Sequence, residues 1–297
     1  MQQDKLSRIA VFYDGNYFFQ VSNYYAYGHE KKRRISISGL HNFIRHKVAE
    51  FESSEYRLCQ IVDAHYFRGR LRADEAQQKG DMLYYERVFD DILMSEGVTT
   101  HYLPIRMKQD GQWQEKGVDV TLALEVYELS FYKRFNIVVL VAGDGDYAPL
   151  VRKLNSLGIK VMVLSWDFEY TNYSGKKITT VSSQYLLEEV TYPILMHELI
   201  DKQSKKGDTK INEIFVPSTP IRNQTNVSNN ETLSKKGEIM SLKNGYGFIK
   251  YPPNNLFFHF SNLIEVDFND LKIGDSVSFS IGLNDEGSEI AENIRVL

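Results

Sequence analysis

Hydrophobic and polar positions in residues 1–200 alternate between short apolar runs and longer stretches with helical spacing. The apolar runs, rich in β-branched residues, lie at 9–13, 58–62, 98–103, 138–142 and 161–164. Between them, stretches such as 118–132 place their apolar residues on one helical face. Because strands and helices alternate repeatedly, the pattern predicts an α/β fold, a parallel sheet with helices on both faces. A polar and aromatic segment at 167–180 is predicted to be a flap, and 185–200 a helix.

The last part of the chain follows a different pattern, in which short alternating strands are separated by turn residues. These predicted strands lie at 237–242, 247–251, 256–260, 276–281 and 289–296. Asn244-Gly245 and Pro252-Pro253-Asn254-Asn255 are turn signals. Five short strands of this kind predict a small β-barrel of the oligonucleotide-binding (OB) type.

The segment between these two patterns is rich in Lys, Asn, Ser and Thr and poor in large apolar residues. This composition predicts a mostly disordered linker at 201–234, although Ile214-Phe215-Val216 has the apolar character of a segment that docks. The chain therefore divides into an α/β domain at 1–200, the linker, and a barrel domain at 235–297.

Composition and charge exclude some classes of protein. The 297 residues are 42% hydrophobic and 25% charged, which is ordinary for a globular protein. The net charge of −4 gives no overall basic field. Cys59, the one cysteine, cannot form an internal disulfide and is expected in the core. The N-terminus is polar and no segment has the length of a membrane span, so we expect a cytoplasmic protein with no membrane partner.

Acidic residues follow two of the predicted strands and begin one predicted helix. Asp14 follows the first strand, Asp144 and Asp146 follow the fourth, and Asp119 lies in the first turn of the preceding helix. Because such a helix runs against the strands, all four are expected at the carboxyl edge of the sheet. Each also has an ordinary explanation as a turn residue or helix N-terminal acid. Independent turns, however, have no reason to converge on one edge.

Several carboxylates in one crevice repel each other and remain ionised together only beside a compensating cation. Ligands that are all oxygen favour Mg²⁺ or Mn²⁺ over zinc. Such a site can activate water and neutralise the charge of a phosphodiester. We therefore predict an Mg²⁺ or Mn²⁺ cofactor held by Asp14, Asp119, Asp144 and Asp146. Asn16 adds a neutral oxygen or an amide donor to this predicted catalytic set.

Three blocks of sequence resemble the signature blocks of the NYN domain, a family of PIN-like ribonucleases. The blocks are Phe12–Asn16, Lys116–Ala123 and Ala142–Val151, and the resemblance covers about residues 6–200. It implies metal-dependent hydrolysis of RNA, with Asp14, Asp119 and Asp144 as core ligands and Asp146 as a ligand or water-orienting residue. The family often has aspartate six residues after Asp119, where this chain has Glu125. Six residues are about 9 Å along a helix and on a different face, so Glu125 is not counted as a ligand.

Two basic stretches leave the ends of the first and second predicted strands, on the same edge as the carboxylates. They consist of Lys31, Lys32, Arg33, Arg34, Arg68, Arg70 and Arg72. Phosphate contacts from these side chains would set the affinity for nucleic acid and its salt dependence. A run of charges is also commonly a solvated face, and both interpretations stay open.

Two motifs in the predicted barrel resemble the RNA-contacting motifs of a cold-shock domain. They are Asn244–Ile249 and Leu256–Ser261. Because alternate residues on adjacent strands face one side, four side chains can form a platform on which unpaired bases stack. These four are Tyr246, Phe248, Phe257 and His259. Phe258 and Phe260 are expected in the core.

One departure from the cold-shock pattern concerns the first strand of the barrel. The family usually has an aromatic pair where this chain has Ser241-Leu242. Each stacked base contributes about 1–3 kcal/mol. The loss therefore predicts weaker binding or a shorter footprint, which a tether to the α/β domain offsets by raising the local concentration.

Taken together, the two domains predict a metal-dependent endoribonuclease that hydrolyses phosphodiester bonds of single-stranded RNA captured by the barrel. Single-stranded DNA is a second candidate ligand, because stacking and phosphate contacts separate the two poorly. The resemblance to PIN-like domains, which often pair, also makes a homodimer a candidate. The alternative is a non-catalytic RNA-binding or regulatory protein that retains the PIN-like fold. A phosphatase or nucleotide hydrolase is a weaker third interpretation, since a small phosphate substrate needs no stacking platform.

Overall fold

The computed structural model describes residues 6–77, 82–107, 113–171, 177–204, 209–217, 235–243, 246–252, 255–264, 266, 268, 271–283 and 289–297. They belong to two compact units. One comprises residues 1–72 and 90–218, and the other comprises residues 73–89 and 219–297. The predicted turns at Asn244-Gly245 and Pro253-Asn254 and the middle of the predicted flap, 172–176, lie outside the described residues.

The first unit is built on a parallel sheet. Its strands, with two short hairpins, are β1 (Ser7–Asp14), β2 (Cys59–Arg70), β3 (Thr99–Pro104), β4 (Arg106–Met107), β5 (Trp113–Gln114), β6 (Ile137–Val141), β7 (Lys160–Ser165), β8 (Phe168–Thr171), β9 (Lys177–Thr180) and β10 (Tyr192–Leu195). Six of them pair in the order β10-β7-β6-β1-β2-β3, all parallel. This confirms the predicted parallel α/β fold.

Helices cover both faces of this sheet. In chain order the helices of the protein are α1 (Gly15–Asn23), α2 (Ile37–Phe51), α3 (Ala73–Gln77), α4 (Met82–Ser95), α5 (Val118–Lys133), α6 (Ala148–Ser156), α7 (Gln184–Glu189), α8 (Met196–Ser204) and α9 (Thr209–Asn212). Of these, α3 and the first half of α4 belong to the second unit. A π-helical turn, Tyr24–Gly28, continues α1. In the described part of the chain, no helix is long and apolar enough to cross a bilayer.

The central strands form the core and create the crevice in which the site lies. Every residue of β6 is buried, and residues 9–13 of β1 are wholly inaccessible. The chain passes from β1 to β2 and β3 on one side and returns through β6 on the other. Tyr13 lies beside Val141 where the two strands end. The strand order thus reverses between β1 and β6, and parallel sheets bind ligands at such a switch point.

Two predicted elements in this unit were wrong in extent. The second strand was expected to end at residue 62 but continues to Arg70, so Arg68 and Arg70 lie within β2 rather than beyond it. The stretch 185–200, expected to be one helix, contains α7, the edge strand β10 and then α8. The sequence pattern missed β10 because a strand of only four residues is too short to interrupt the helical spacing of the apolar residues around it.

Part of the predicted linker packs against the first unit. Ile214 and Phe215 are buried, the Ser36 amide donates to Ile214 O (2.8 Å), and the Val216 amide donates to Arg34 O (2.9 Å). Gly39 permits this contact, because a Cβ there would lie 1.9 Å from the Glu213 carbonyl oxygen. Within the predicted, mostly disordered linker, the docking that the apolar character of Ile214-Phe215-Val216 suggested is therefore observed, because burial of a few apolar side chains outweighs the polar composition of the segment.

The second unit contains a closed barrel, as predicted. Its strands are β11 (Lys235–Lys243), β12 (Tyr246–Lys250), β13 (Leu256–His259), β14 (Ser276–Leu283) and β15 (Glu289–Val296). They close in the order β11-β12-β13-β15-β14. Ile249, Phe258 and Phe279 are buried inside, whereas Phe260, expected in the core, is only partly buried and packs against the rings of Tyr84 and Tyr85.

Candidate metal centre and nucleic-acid surfaces

Asp14 and Asp119 begin two different helices at the carboxyl edge of the sheet. Asp14 caps α1, and its Oδ1 accepts a hydrogen bond from the Tyr17 amide at 3.0 Å, the usual role of aspartate at this position. Asp119 is in the first turn of α5. Gly117 precedes that helix with φ of 82°, a left-handed conformation that glycine adopts without strain.

The hydroxyl of Tyr147 joins these two carboxylates. It lies 2.9 Å from Asp119 Oδ1 and 3.3 Å from Asp14 Oδ2. Tyr147 is buried and belongs to a short 3₁₀ turn directly after β6. A single phenolic proton serves two acceptors, and the distances place its stronger bond on Asp119. Three segments distant in sequence thus meet at one oxygen atom.

The environment of this pair disfavours negative charge. Burial, with the negative charges of Asp119 and Glu115, raises the pKa of Asp14 to about 6, although hydrogen bonds from Tyr17 and Tyr147 oppose the rise. Burial and the two adjacent carboxylates also raise the pKa of the Tyr147 hydroxyl well above its ordinary value. Tyr147 is therefore a neutral hydrogen-bond donor at every physiological pH.

Glu115 is an acidic neighbour that sequence reasoning missed. Its carboxylate accepts a short hydrogen bond from the Gly69 amide, and Gly69 has no space for a side chain, since a Cβ would lie 2.2 Å from Glu115 Cγ. The only sequence signal was its position directly before Lys116-Gly117. Glu115 adds negative charge next to Asp14 without belonging to the predicted ligand set.

The other predicted site residues remain at the solvent-facing rim. Asp144 is exposed and caps the turn 145–147, and its Oδ1 accepts from the Asp146 amide at 3.0 Å. Asp146 and Asn16 are also exposed. Within the described ranges, no three or more Asp, Glu, His or Cys side chains are gathered as a ready metal-ligand set. The structure therefore brings two of the four predicted ligands into shared contact, and the four-carboxylate cage stays a prediction.

Glu125 faces a different group. Burial and the neighbouring His65 lower the pKa of His101 on β3 below its ordinary value, and the charge of Glu125 opposes this effect. The His65 and His101 rings are in contact, with Nδ1 of one 2.9 Å from Nε2 of the other. The assumption that Glu125 points away from Asp119 stays a prediction.

Two side chains of the first basic stretch, Lys31 and Arg33, hold the docked segment 209–217, and the other two bond to the end of α1 and the turn that follows it. Lys31 Nζ donates to Asn212 Oδ1 at 2.9 Å, and Arg33 Nε donates to Val216 O at 2.7 Å. Lys32 donates to Tyr27 O, and the Arg34 guanidinium bonds to Tyr27 Oη and Asn23 Oδ1. These contacts give the four cations a structural use, while their predicted role as phosphate ligands stays untested.

The three arginines of the second basic stretch lie in different environments. Arg70 pairs with Asp90 at 3.0 Å and lies over the Tyr102 ring, and Arg72 is exposed at the end of the strand. Arg68 lies with its guanidinium carbon 4.2 Å from the ring centroid of Phe19. Phe19, an exposed aromatic on α1, was not singled out from the sequence because it sits in an aromatic-rich stretch whose other members are mostly buried.

The barrel presents the aromatic surface that strand alternation predicts. Tyr246 pairs with His259 and Phe248 with Phe257 across β12 and β13, and all four are partly exposed while their neighbours Gly247, Ile249, Leu256 and Phe258 are buried. The centroids of Tyr246 and Phe248 lie 5.5 and 5.8 Å from that of Phe257. Ser241 lies opposite Phe248 on β11. The platform therefore stops at this strand, where Ser241 supplies no ring.

Family models match both parts of the chain. The NYN domain matches residues 8–185, and the 'Cold-shock' DNA-binding domain matches residues 235–297. A solved structure, a protein of unknown function from Vibrio parahaemolyticus, is 20% identical over 66% of this chain and 96% of that chain, with a TM-score of 0.41. No curated protein matches at a significant level.

The fold and the two family models define a PIN-like domain followed by a nucleic-acid-binding barrel. The chain belongs to the NYN domain family and ends in a cold-shock domain. NYN domains are part of a nuclease superfamily, and cold-shock domains bind nucleic acid. The combination indicates an RNA-binding nuclease.

Proposed function

We propose that this protein is a metal-dependent endoribonuclease that cuts single-stranded RNA at the carboxyl edge of the NYN sheet. The observation that carries the proposal is the Tyr147 hydroxyl, which lies within 3.3 Å of carboxylates from two separate helices. A structural turn or a helix cap has no need of a second carboxylate brought from more than a hundred residues away. The closeness of two acids at a buried edge is typical of a site that handles a cation.

The donor chemistry fits a divalent cation. Asp14 and Asp119 supply carboxylate oxygens, and burial, with the charge of Asp119, raises the pKa of Asp14, so a bound cation would favour its ionised form. Mg²⁺ or Mn²⁺ bound here would supply Lewis-acid activation of water and neutralise phosphodiester charge. Asp144 and Asp146 stand on the adjacent turn as further predicted ligands, and Asn16 as a predicted supporting donor.

Other residues of the chain would orient the carboxylates, limit access to them and bind the RNA bases. Tyr147, held neutral, keeps the Asp14 and Asp119 carboxylates oriented by its hydroxyl. The buried floor beneath them, formed by β1 and β6, limits access to the outer side of the edge. In the barrel, Tyr246, Phe248, Phe257 and His259 would stack the unpaired bases of the strand.

The proposal is tested by incubating labelled single-stranded RNA with the protein and Mn²⁺ or Mg²⁺, beside the Asp119→Asn and Asp144→Asn variants. Cleavage by the wild type, lost on chelation and reduced at least 100-fold in Asp119→Asn, is the expected result. Equal cleavage by wild type and variants would point to a contaminating nuclease. Labelled DNA in a parallel reaction measures the preference for RNA.

The non-catalytic alternative makes a different prediction from the same protein. It requires that RNA binding persist while calorimetry detects no binding of Mg²⁺ or Mn²⁺. A phosphatase or nucleotide hydrolase would release phosphate from mononucleotides and leave long RNA intact. Both alternatives are separable from the proposal without changing the protein.

We further propose that two copies of the chain pair through α5. Val120, Leu124, Tyr127 and Phe131 recur at helical spacing and are each at least 42% exposed. Such a stripe, facing an identical stripe, forms a self-complementary two-fold interface. Light scattering should give the mass of a dimer, and Leu124→Glu should give that of a monomer, while Leu157→Glu on the exposed end of α6 leaves the dimer intact. A monomeric wild type would contradict the proposal.

A further inference from the structure

On α1, the helix that Asp14 caps, lies a second chemical feature, an aromatic ring with an arginine against it. Phe19 is 40% exposed on α1, three residues after the exposed Asn16 and therefore on the same helical face. The guanidinium carbon of Arg68 lies 4.2 Å from the centre of the Phe19 ring. An exposed ring with a guanidinium against it offers a ligand both a π-face and a positive charge.

The strand register places this pair at the same edge of the sheet as Asp14. Asp14 is paired with Phe67 across β1 and β2, so Arg68 is one residue further along the neighbouring strand and projects from the face of the sheet that α1 covers. The Tyr66 hydroxyl donates to Gly15 O at 3.0 Å, and Arg68 hydrogen-bonds to Tyr66. Arg68 is thus fixed between the first turn of α1 and the Phe19 ring.

The close packing of α1 against β2 restricts the movement of Phe19 and Arg68. A Cβ on Gly15 would lie 2.5 Å from Phe67 O and 2.6 Å from the Tyr66 ring, so the helix begins in direct contact with β2. Phe18, the residue before Phe19, is buried. The contact of Gly15 with β2 and the burial of Phe18 therefore fix the orientation of α1. Phe19 faces outward as a consequence of that packing.

The two side chains are suited to the two parts of a nucleotide. The exposed ring offers an apolar π-face to a base. A guanidinium stacked on an aromatic ring keeps its in-plane N–H donors available for a phosphate. We propose that Phe19 and Arg68 form a nucleotide subsite of the NYN domain, in which Phe19 stacks an unpaired base and Arg68 contacts a phosphate adjacent to the carboxylates.

This inference rests on the proposed function. It adds that the RNA is unpaired at the position where it is cut. A base that stacks on Phe19 has left its own helix, so the strand beside Asp14 is unpaired. Selection of single strands would then occur in the NYN domain as well as in the cold-shock domain. A duplex, whose bases are stacked on each other, would not use Phe19.

The test uses the full chain with the substitution Asp119→Asn, so that RNA is bound but not cut. A single-stranded oligonucleotide carrying 4-thiouridine is photocrosslinked, and the crosslinked peptide is identified by mass spectrometry. We expect a crosslink at the peptide that contains Phe19, reduced about 5- to 150-fold by adding Phe19→Ala, the range given by loss of one stacked base. Phe19→Trp should retain it.

Phe51→Ala provides the matched control, because Phe51 is 41% exposed on α2 and its ring packs on Tyr192. It should leave the Phe19 crosslink unchanged. Melting by circular dichroism checks that each variant is folded. Arg68→Ala should lower affinity equally for all sequences and reduce the slope of log K against log salt by about one phosphate contact.

The outcomes separate this subsite from the proposed activity. A Phe19 crosslink in a protein whose wild type cuts no RNA would support the subsite and overturn the nuclease proposal. If the wild type cuts single-stranded RNA, Phe19→Ala should lower kcat/KM for it by the same 5- to 150-fold. Unchanged kcat/KM, or no crosslink at Phe19 while the barrel crosslinks, would overturn the subsite and leave the activity standing.

Discussion

The Tyr147 hydroxyl lies 2.9 Å from Asp119 Oδ1, and through it the turn after β6 is tied to the first turn of α5. The same oxygen lies 3.3 Å from Asp14 Oδ2, at the end of β1. One neutral donor thus holds two acids that repel each other. This relationship gives the clearest means of testing how the site is maintained.

Replacing Tyr147 with Phe keeps the buried ring and removes only the shared hydroxyl. The two carboxylates then lose their common donor, and we expect RNA cleavage to fall about 10- to 100-fold, the usual effect of losing an outer-shell partner. Single-turnover cleavage rates at saturating Mn²⁺ measure the effect. Tyr132→Phe, at an exposed position on α5 outside the proposed dimer stripe, should leave the rate unchanged. Full activity in Tyr147→Phe would show that the hydroxyl is not needed to position the two carboxylates.

Asp14 should make the metal-free protein less stable as the pH rises. Because its pKa is raised from 3.8 to about 6 on folding, the folded state holds a proton that the unfolded chain has lost between these values. The free energy of unfolding therefore falls as pH rises from 4 to 6 and levels off above that. Asp14→Asn should remove this fall and stabilise the metal-free protein at pH 7.5 by about 1–3 kcal/mol.

Urea denaturation at pH 4 and pH 7.5, with chelator present, measures this difference, with Glu128→Gln on exposed α5 as the control. Saturating Mn²⁺ should narrow the gap between wild type and Asp14→Asn at pH 7.5, because a bound cation stabilises the ionised carboxylate. A wild type that is equally stable at both pH values, or an Asp14→Asn variant that is less stable than wild type at pH 7.5, would contradict the charge argument.

The barrel platform should bind RNA through its rings. Phe248→Ala removes the residue paired with Phe257, and we expect the affinity of the full chain for single-stranded RNA to fall by about 1–3 kcal/mol. Fluorescence anisotropy with a labelled oligonucleotide measures it. Ile273→Ala, an exposed apolar residue elsewhere in the same unit, should have no effect. Equal affinity for both variants would place RNA binding on another surface.

Extending the platform should have the opposite effect. Ser241 lies beside Phe248 on β11, so Ser241→Phe adds a ring at the edge where the aromatic surface ends. We expect tighter binding by several-fold and an occluded length longer by one base, since each stacked base contributes about 1–3 kcal/mol. Titration with oligonucleotides of increasing length detects both changes. Unaltered affinity would show that the strand leaves the barrel before it reaches β11.

Gly39 tests the docked segment. In an exposed helix Gly→Ala stabilises by about 0.5–1 kcal/mol, but here the new Cβ would lie 1.9 Å from the Glu213 carbonyl oxygen. We expect Gly39→Ala to displace residues 213–216 and to speed amide hydrogen exchange at Ser36 and Val216, which pair with the segment. Ser38→Ala, its exposed neighbour, is the control. Slow exchange retained in Gly39→Ala would mean that the segment shifts without separating.

The sequence by itself determined the parts of this protein that depend on local pattern. Apolar runs rich in β-branched residues, such as Val138–Val141, are typical of buried strands. Their alternation with helices favours a parallel sheet. The position of Asp14 directly after a strand places it at the sheet edge. Alternation on β12 and β13 likewise puts Phe248 and Phe257 on one face of the barrel.

Only the tertiary structure decided which side chains meet. The contact of Tyr147 with Asp14 and Asp119, the charge of Glu115 beside them, and the place of Phe19 against Arg68 all join segments far apart in sequence. Such contacts depend on strand order, register and rotamer together, none of which is encoded within a single window of residues. For the same reason a stretch predicted to be mostly disordered contains Phe215, which is buried against the Tyr25 ring.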